Sequence, residues 1–150
     1  MRGREPNEPN RPMIRKKAEI RIMQYYFAKT LRAANIDEVI ASVTDALKAE
    51  GFGILTEIDV RDTLKQKLGE DFREYRILGA CNPSLAHEAL KAEDKIGTML
   101  PCNVIVQKAD DGFEVAAVDP AASMQAVDNP ALAQIAATVR DRLKSVVEAL

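Results

Sequence analysis

The segment from Asn103 to Val118, NVIVQKADDGFEVAAV, decides the fold of this chain. Its Asp111-Gly112 dipeptide lies between two apolar runs, and Asp-Gly in that setting is a strong signal for a β-hairpin. The pattern predicts that Val104–Lys108 and Phe113–Val118 pair as antiparallel strands. A hairpin of this kind, set among helices, favours the α+β class.

The sequence on either side of this hairpin predicts three more strands and the helices between them. Alternating or β-rich apolar residues indicate strands at 22–31, 52–60 and 75–81. Helical spacing and capping residues predict helices at 36–50, 61–68, 83–94 and 130–150, with a short helix after Asp119-Pro120. The order predicts one α+β domain of the β-α-β4-α type, with a mainly antiparallel sheet and helices packed on one face.

Length and composition indicate one folded domain of ordinary character. The chain has 150 residues, of which 47% are hydrophobic and 29% charged, and its net charge is −2. This charge gives no support to nucleic-acid binding, and no apolar run reaches the ~18 residues of a membrane span. Two cysteines are too few for a secreted disulfide scaffold. We therefore expect a cytoplasmic protein with no nucleic-acid and no membrane partner.

The N-terminal segment differs in composition from the rest of the chain. Residues 1–19 contain six Lys or Arg, three Glu, three Pro and no aromatic residue. Such a segment buries too little apolar surface to offset its chain entropy. We expect residues 1–22 to be a disordered extension and residues 23–150 to be the domain.

The two cysteines are the first candidates for a functional site. Cys81 and Cys102 each precede an asparagine, Asn82 and Asn103. Cys81 ends a predicted strand just before a helix N-terminus, where the helix dipole lowers a thiol pKa. Parallel strands would separate the thiols by about 15–20 Å, whereas antiparallel strands would place them at the same end of the sheet. A thiol site and two cysteines buried as small hydrophobic side chains are both compatible with this pattern.

Two carboxylates are a second candidate. Glu57 and Asp59 alternate onto one face of a predicted strand and could act as an acid–base pair. Asp59 is also the expected N-cap of the next helix, and Glu57 could simply face solvent. The chain has one histidine and lacks the phosphate-loop and catalytic-serine motifs, so we expect no cofactor and no metal site.

Three segments, in order along the chain, resemble the family named Domain of Unknown Function 302. They are GFGILTEIDV at 51–60, YRILGACNP at 75–83 and LPCNV at 100–104. The similarity extends from about Met23 to Leu150. It implies a small bacterial or archaeal protein with a β-α-β4-α core, and it implies no activity. The family pattern includes the candidate residues Glu57, Asp59, Cys81, Asn82 and Cys102.

Two functions of different classes fit these observations. The first is a small ligand- or partner-binding domain without catalytic turnover, forming a homo-oligomer such as a dimer. An apolar pocket beside Cys81, Cys102 and Glu57 would support it. The second is a thiol-based function, namely redox chemistry, sulfur carriage or soft-metal binding, which requires an exposed cysteine of low pKa. The candidate ligand-binding residues are Glu57, Asp59, Cys81, Asn82, Cys102 and Asn103.

Overall fold

The computed structural model describes residues 24–150. The predicted extension, residues 1–22, lies outside the described residues. In chain order the elements are β1 (Tyr26–Leu31), α1 (Ile36–Ala49), β2 (Gly53–Asp59), α2 (Val60–Leu68), β3 (Tyr75–Cys81), α3 (Pro83–Ala92), a 3₁₀ turn (Asp94–Met99), β4 (Cys102–Ala109), β5 (Gly112–Val118), α4 (Pro120–Ser123) and α5 (Pro130–Ala149).

The five strands of the described part of the chain form one antiparallel sheet with the order β1-β5-β4-β3-β2. This confirms the α+β class and the antiparallel character predicted from the sequence. The predicted strand at 22–31 begins outside the described residues; within them β1 starts at Tyr26, which pairs with Val118, the last residue of β5. The 3₁₀ turn before β4 was not predicted.

The central hairpin is confirmed, but its turn lies one residue earlier than the predicted Asp111-Gly112 pair. Ala109 pairs with Gly112, so Asp110 and Asp111 form the two-residue loop and Gly112 begins β5. Gly112 is needed here for a close approach: a Cβ atom at this position would lie 2.1 Å from the carbonyl oxygen of Leu31.

Each of the five α-helices within residues 24–150 begins at an Asn or Asp whose side chain accepts a hydrogen bond from a backbone N–H of the first turn. These caps satisfy donors that have no partner inside the helix. Their residue types made the helix starts predictable. The five caps are Asn35, Asp59, Asn82, Asp119 and Asn129.

The hydrophobic core has two parts. In the first, helices α1 and α5 cover one face of the sheet and bury residues such as Leu78, Val104 and Leu143. The second lies among the helices alone and contains Ala89, Ile96, Met124, Leu132 and Ala136. Helix α5 contributes to both parts because its 20 residues span about 30 Å, which exceeds the length of the strands beside it.

Helix α5 is the longest helix among residues 24–150, and exposed polar residues such as Asp141, Arg142 and Lys144 lie outside its apolar stripe. No helix in this part of the chain has both the length and the apolar character that crossing a bilayer requires.

Candidate functional site

A cavity of about 340 Å³ lies between one end of the sheet and helices α3 and α5. The ends of β3 and β4 form one wall, and the 3₁₀ turn and the first half of α5 form the others. Its lining is almost entirely aliphatic, and it includes Leu85, Ala89, Leu100, Leu132, Ile135 and Ala136. Phe52 is the one aromatic lining residue among the described residues.

The cavity runs from the buried interior to the protein surface. At its inner end Leu132 and Ala136 belong to the second core cluster and are buried. At its outer end Leu55 and Leu90 line the same space, yet they are 66% and 42% exposed. These two residues, the mouth leucines, therefore form the entrance.

The antiparallel pairing of β3 and β4 brings the two cysteines to the same end of the sheet. Cys102 lies opposite Ala80, the neighbour of Cys81, and both cysteines line the cavity. Neither forms a disulfide; Cys81 is half-buried and Cys102 is buried. The sequence left open whether the two thiols lie at opposite ends of the sheet or at the same end. The structure shows that they lie at the same end.

The Cys102 thiol is a poor candidate for a reactive thiolate. Burial, with a smaller contribution from the neighbouring Cys81, raises the pKa of Cys102 from 9.0 to about 11. At neutral pH this side chain is an uncharged hydrophobic group. Any reactive thiolate in this cavity would therefore have to come from Cys81.

The raised pKa of Cys102 predicts a specific loss of stability at alkaline pH. Between about pH 9 and pH 11 the unfolded chain ionises this thiol while the folded protein keeps it protonated. From pH 8 to pH 10.5 the free energy of unfolding should therefore fall by about 2 kcal/mol more in the wild type than in Cys102→Ala. Urea denaturation of both proteins at several pH values measures this difference. Parallel pH profiles would show that burial does not hold this thiol neutral.

Asn82 is the one buried polar residue among residues 24–150, and it lines the cavity beside Cys81. Its Oδ1 accepts a hydrogen bond from the backbone N–H of Leu85 at 3.2 Å and so caps helix α3. The structure therefore gives this side chain a structural role at the edge of the cavity.

Replacing Asn82 with alanine should lower the free energy of unfolding by about 1–2 kcal/mol, because the part-buried N–H of Leu85 loses its acceptor. The matched control is Asn35→Ala in the exposed cap of α1, where the backbone N–H of Glu38 can donate its hydrogen bond to water instead. This control should cost about 1 kcal/mol or less. Chemical denaturation of the two variants checks the prediction. Equal losses would argue against a special role for burial at Asn82.

Glu57 and Asp59 are not part of the cavity. Both bind Arg76, with Oε2 of Glu57 2.6 Å from Nη1 and Oδ2 of Asp59 3.4 Å from Nε, and Asp37 lies 3.9 Å away. Burial lowers the pKa of Arg76, but the hydrogen bond to Glu57 and the surrounding carboxylates raise it further, so the guanidinium stays charged. Arg76 is about 17 Å along β3 from Cys81. The cavity beside the cysteines therefore does not include Glu57.

Asn103 is also separated from the cavity. It pairs with Gly79, whereas Cys102 pairs with Ala80, so the strand alternation directs Asn103 to the opposite face of the sheet. There it is exposed and borders a different depression, together with Tyr75 and Ile105. Of the six predicted ligand-binding residues, the cavity therefore unites Cys81, Asn82 and Cys102.

The residues that give the cavity its shape were not predicted from the sequence. Leu55 is the extra residue of a β-bulge in β2, between the pairs formed by Ile54 and Thr56. Bulges redirect side chains and often lie next to functional sites. The partial alternation of β2 offered no signal for the bulge, and the apolar stripe of α5 indicated burial without indicating a void.

No group of three or more His, Cys, Asp or Glu residues within the described part of the chain is placed to hold a metal ion. The polar atoms at the cavity are few, and the cap hydrogen bond already uses Oδ1 of Asn82. The arrangement is therefore suited to apolar contacts more than to acid–base chemistry.

Comparison with known proteins identifies relatives of this chain. The model of the family "Domain of unknown function DUF302" matches residues 27–150. The crystal structure of an uncharacterized conserved DUF302 protein from Bacillus stearothermophilus is similar, with a TM-score of 0.77 and 28% sequence identity over 83% of this chain and 97% of that one. No curated protein matches the chain. Sequence motifs, fold and family model agree, and the chain belongs to the DUF302 family.

Proposed function

We propose that this protein binds a small apolar molecule in the cavity beside Cys81 and Cys102, without catalytic turnover. The observation that carries the proposal is an aliphatic space of about 340 Å³ that opens to the surface. Ligand sites in proteins are typically concave and mostly apolar, with volumes of roughly 300–1,000 Å³.

The packing of the protein supports a ligand more than an empty or water-filled space. Protein interiors are normally filled to the density of organic crystals, and a void deprives its lining atoms of dispersion contacts. Water gains little in an aliphatic cavity because it finds too few hydrogen-bond partners there. An apolar ligand would restore the missing contacts, and the polar groups at Asn82 would limit how it is oriented.

Decanoate provides a direct test, because its short alkyl chain is within the capacity of the cavity. Isothermal titration calorimetry should detect binding to the wild type. Ala136→Phe, which fills the inner end of the cavity, should weaken this binding at least tenfold. Ala133→Phe is the matched control, since residue 133 is exposed on the same helix.

If Ala136→Phe does not fold, Ala89→Leu on α3 blocks the same space from the opposite wall. Absence of decanoate binding, or equal binding by the blocked and control variants, would overturn the proposal. Circular dichroism and thermal unfolding of each variant establish that the fold is retained.

A thiol-based function is the second candidate, favoured by the convergence of two cysteines on one cavity. Cys81 is the half-buried member and directly precedes the N-cap of α3. Reactive cysteines in proteins lie at partly exposed positions of this kind. Redox chemistry, sulfur carriage or soft-metal binding would each use Cys81, with the neutral Cys102 thiol as its neighbour.

Thiol labelling of the native protein tests this candidate. Iodoacetamide is applied from pH 5 to pH 9, and the modification at each cysteine is measured by mass spectrometry. Rapid labelling of Cys81 with an apparent pKa well below about 8.5 would support a thiol function. Labelling of both cysteines only after denaturation would exclude it, and Cys81→Ser serves as the control for assignment.

A further inference from the structure

We propose that the natural ligand is a single-chain amphiphile whose alkyl chain fills the cavity and continues outward across the mouth leucines, Leu55 and Leu90. This inference rests on the proposed binding function and deepens it by naming the ligand class. It follows from three features: the cavity volume, the exposed apolar entrance and the scarcity of polar anchors inside.

The volume sets the length of chain that the interior can hold. An apolar cavity of about 150 Å³ accommodates one benzene molecule, and the volume here is about 340 Å³. The interior therefore takes about two benzene-sized groups, or about a dozen carbon atoms. A longer alkyl chain has to leave through the entrance.

Exposed apolar side chains at the entrance can stay in contact with such a chain. Leu55 lies in the β-bulge, has no paired partner on β3, and is 66% exposed although it lines the cavity. Leu90 on α3 lines the cavity too, and Met99, next to the lining residue Leu100, is also exposed. Exposed large apolar side chains grouped around an opening indicate a surface that a partner or ligand covers.

The scarcity of polar groups distinguishes a chain from a polar or heteroaromatic ligand. Asn82 is the only lining residue, among those described, with a side-chain amide or charged group, and its Oδ1 is occupied by the helix cap. A ligand with hydroxyl or ring-nitrogen groups inside the cavity would leave them unpaired, which is costly. An alkyl chain carries no such groups, and its polar head would remain in water beyond the mouth leucines.

The test is the dependence of affinity on chain length. Fatty acids of 8 to 16 carbons, each kept below its critical micelle concentration, are titrated into the wild-type protein by calorimetry. Affinity should rise about fourfold per methylene up to about 12 carbons. Beyond that length it should continue to rise, about twofold per methylene, because the chain still covers part of the mouth leucines.

The double variant Leu55→Ser/Leu90→Ser should match the wild type for chains of 8 to 10 carbons and lose the further gain, so that hexadecanoate binds about tenfold more weakly. Leu68→Ser is the matched control, because Leu68 is 67% exposed but lies outside the cavity lining. It should bind like the wild type at every length.

The outcomes separate this inference from the proposed function. If decanoate binds but affinity stops rising near 12 carbons, or if the double variant retains the wild-type profile, the long-chain inference is wrong and the binding function stands. If no fatty acid binds, the binding function itself fails.

Discussion

Replacing Gly112 with alanine is expected to lower the free energy of unfolding by about 3 kcal/mol or more. The new Cβ would lie 2.1 Å from the carbonyl oxygen of Leu31 and 3.2 Å from the Cα of Arg32. Both are backbone atoms, so no side-chain rotation can relieve the overlap. Strand β1, which pairs with β5 from Tyr26 to Leu31, has to move away from the sheet.

Guanidinium denaturation measures the loss, and hydrogen exchange locates it. The amides of β1 should lose protection in Gly112→Ala, while those of β3 and β4 keep theirs. Gly53→Ala is the matched control, because no atom lies within 4 Å of a Cβ at that strand position. Its stability should change by about 0.5 kcal/mol or less. Similar losses in the two variants would disprove the close approach of β1 to Gly112.

The second large effect concerns two buried leucines of the same helix. Leu143 is fully buried in the core between the sheet and the helices, and Leu143→Ala should cost about 4 kcal/mol. Leu132 is buried to nearly the same extent but lines the cavity. Because part of its surface already lacks packing partners, Leu132→Ala should cost less, about 2–3 kcal/mol.

This comparison tests whether the cavity exists in solution. Urea denaturation gives the loss in free energy of unfolding for each variant. Because both variants lose the same leucine side-chain atoms, the difference between the two losses reports how well each leucine is packed. If Leu132→Ala is as costly as Leu143→Ala, the space beside Leu132 is closed and the proposed binding function loses its basis. Saturating decanoate should then also fail to stabilise the protein, whereas a true ligand stabilises the folded state in proportion to the logarithm of its concentration.

The position of the cavity follows from the different lengths of the packed elements. Helix α5 is longer than the strands, and its first half packs with α3, α4 and the 3₁₀ turn in the second core cluster. Short helices do not form a continuous layer such as a sheet provides. The gap between them lies where β3 ends and β4 begins, which is why Cys81 and Cys102 border it.

Local signals in the sequence determined the secondary structure and the fold class of this protein. The Asn and Asp caps predicted where the helices start. Alternating apolar residues on both sides of Asp-Gly predicted the antiparallel strands. Both predictions worked because capping and pleating depend on residues close in sequence. The same signals identified Cys81, Asn82 and Cys102, and three motifs pointed to the family. The exact hairpin turn was missed, since the choice of Gly112 reflects contact with Leu31, which is distant in sequence.

Only the tertiary structure decided which candidates share a site. Antiparallel pairing brought the two cysteines together, Arg76 held Glu57 and Asp59 elsewhere, and strand alternation placed Asn103 on the opposite face. The cavity and the bulge that exposes Leu55 had no counterpart in the sequence pattern. An apolar stripe on a helix predicts that its side chains are buried. Whether other side chains fill the space beside them depends on how elements distant in sequence pack together.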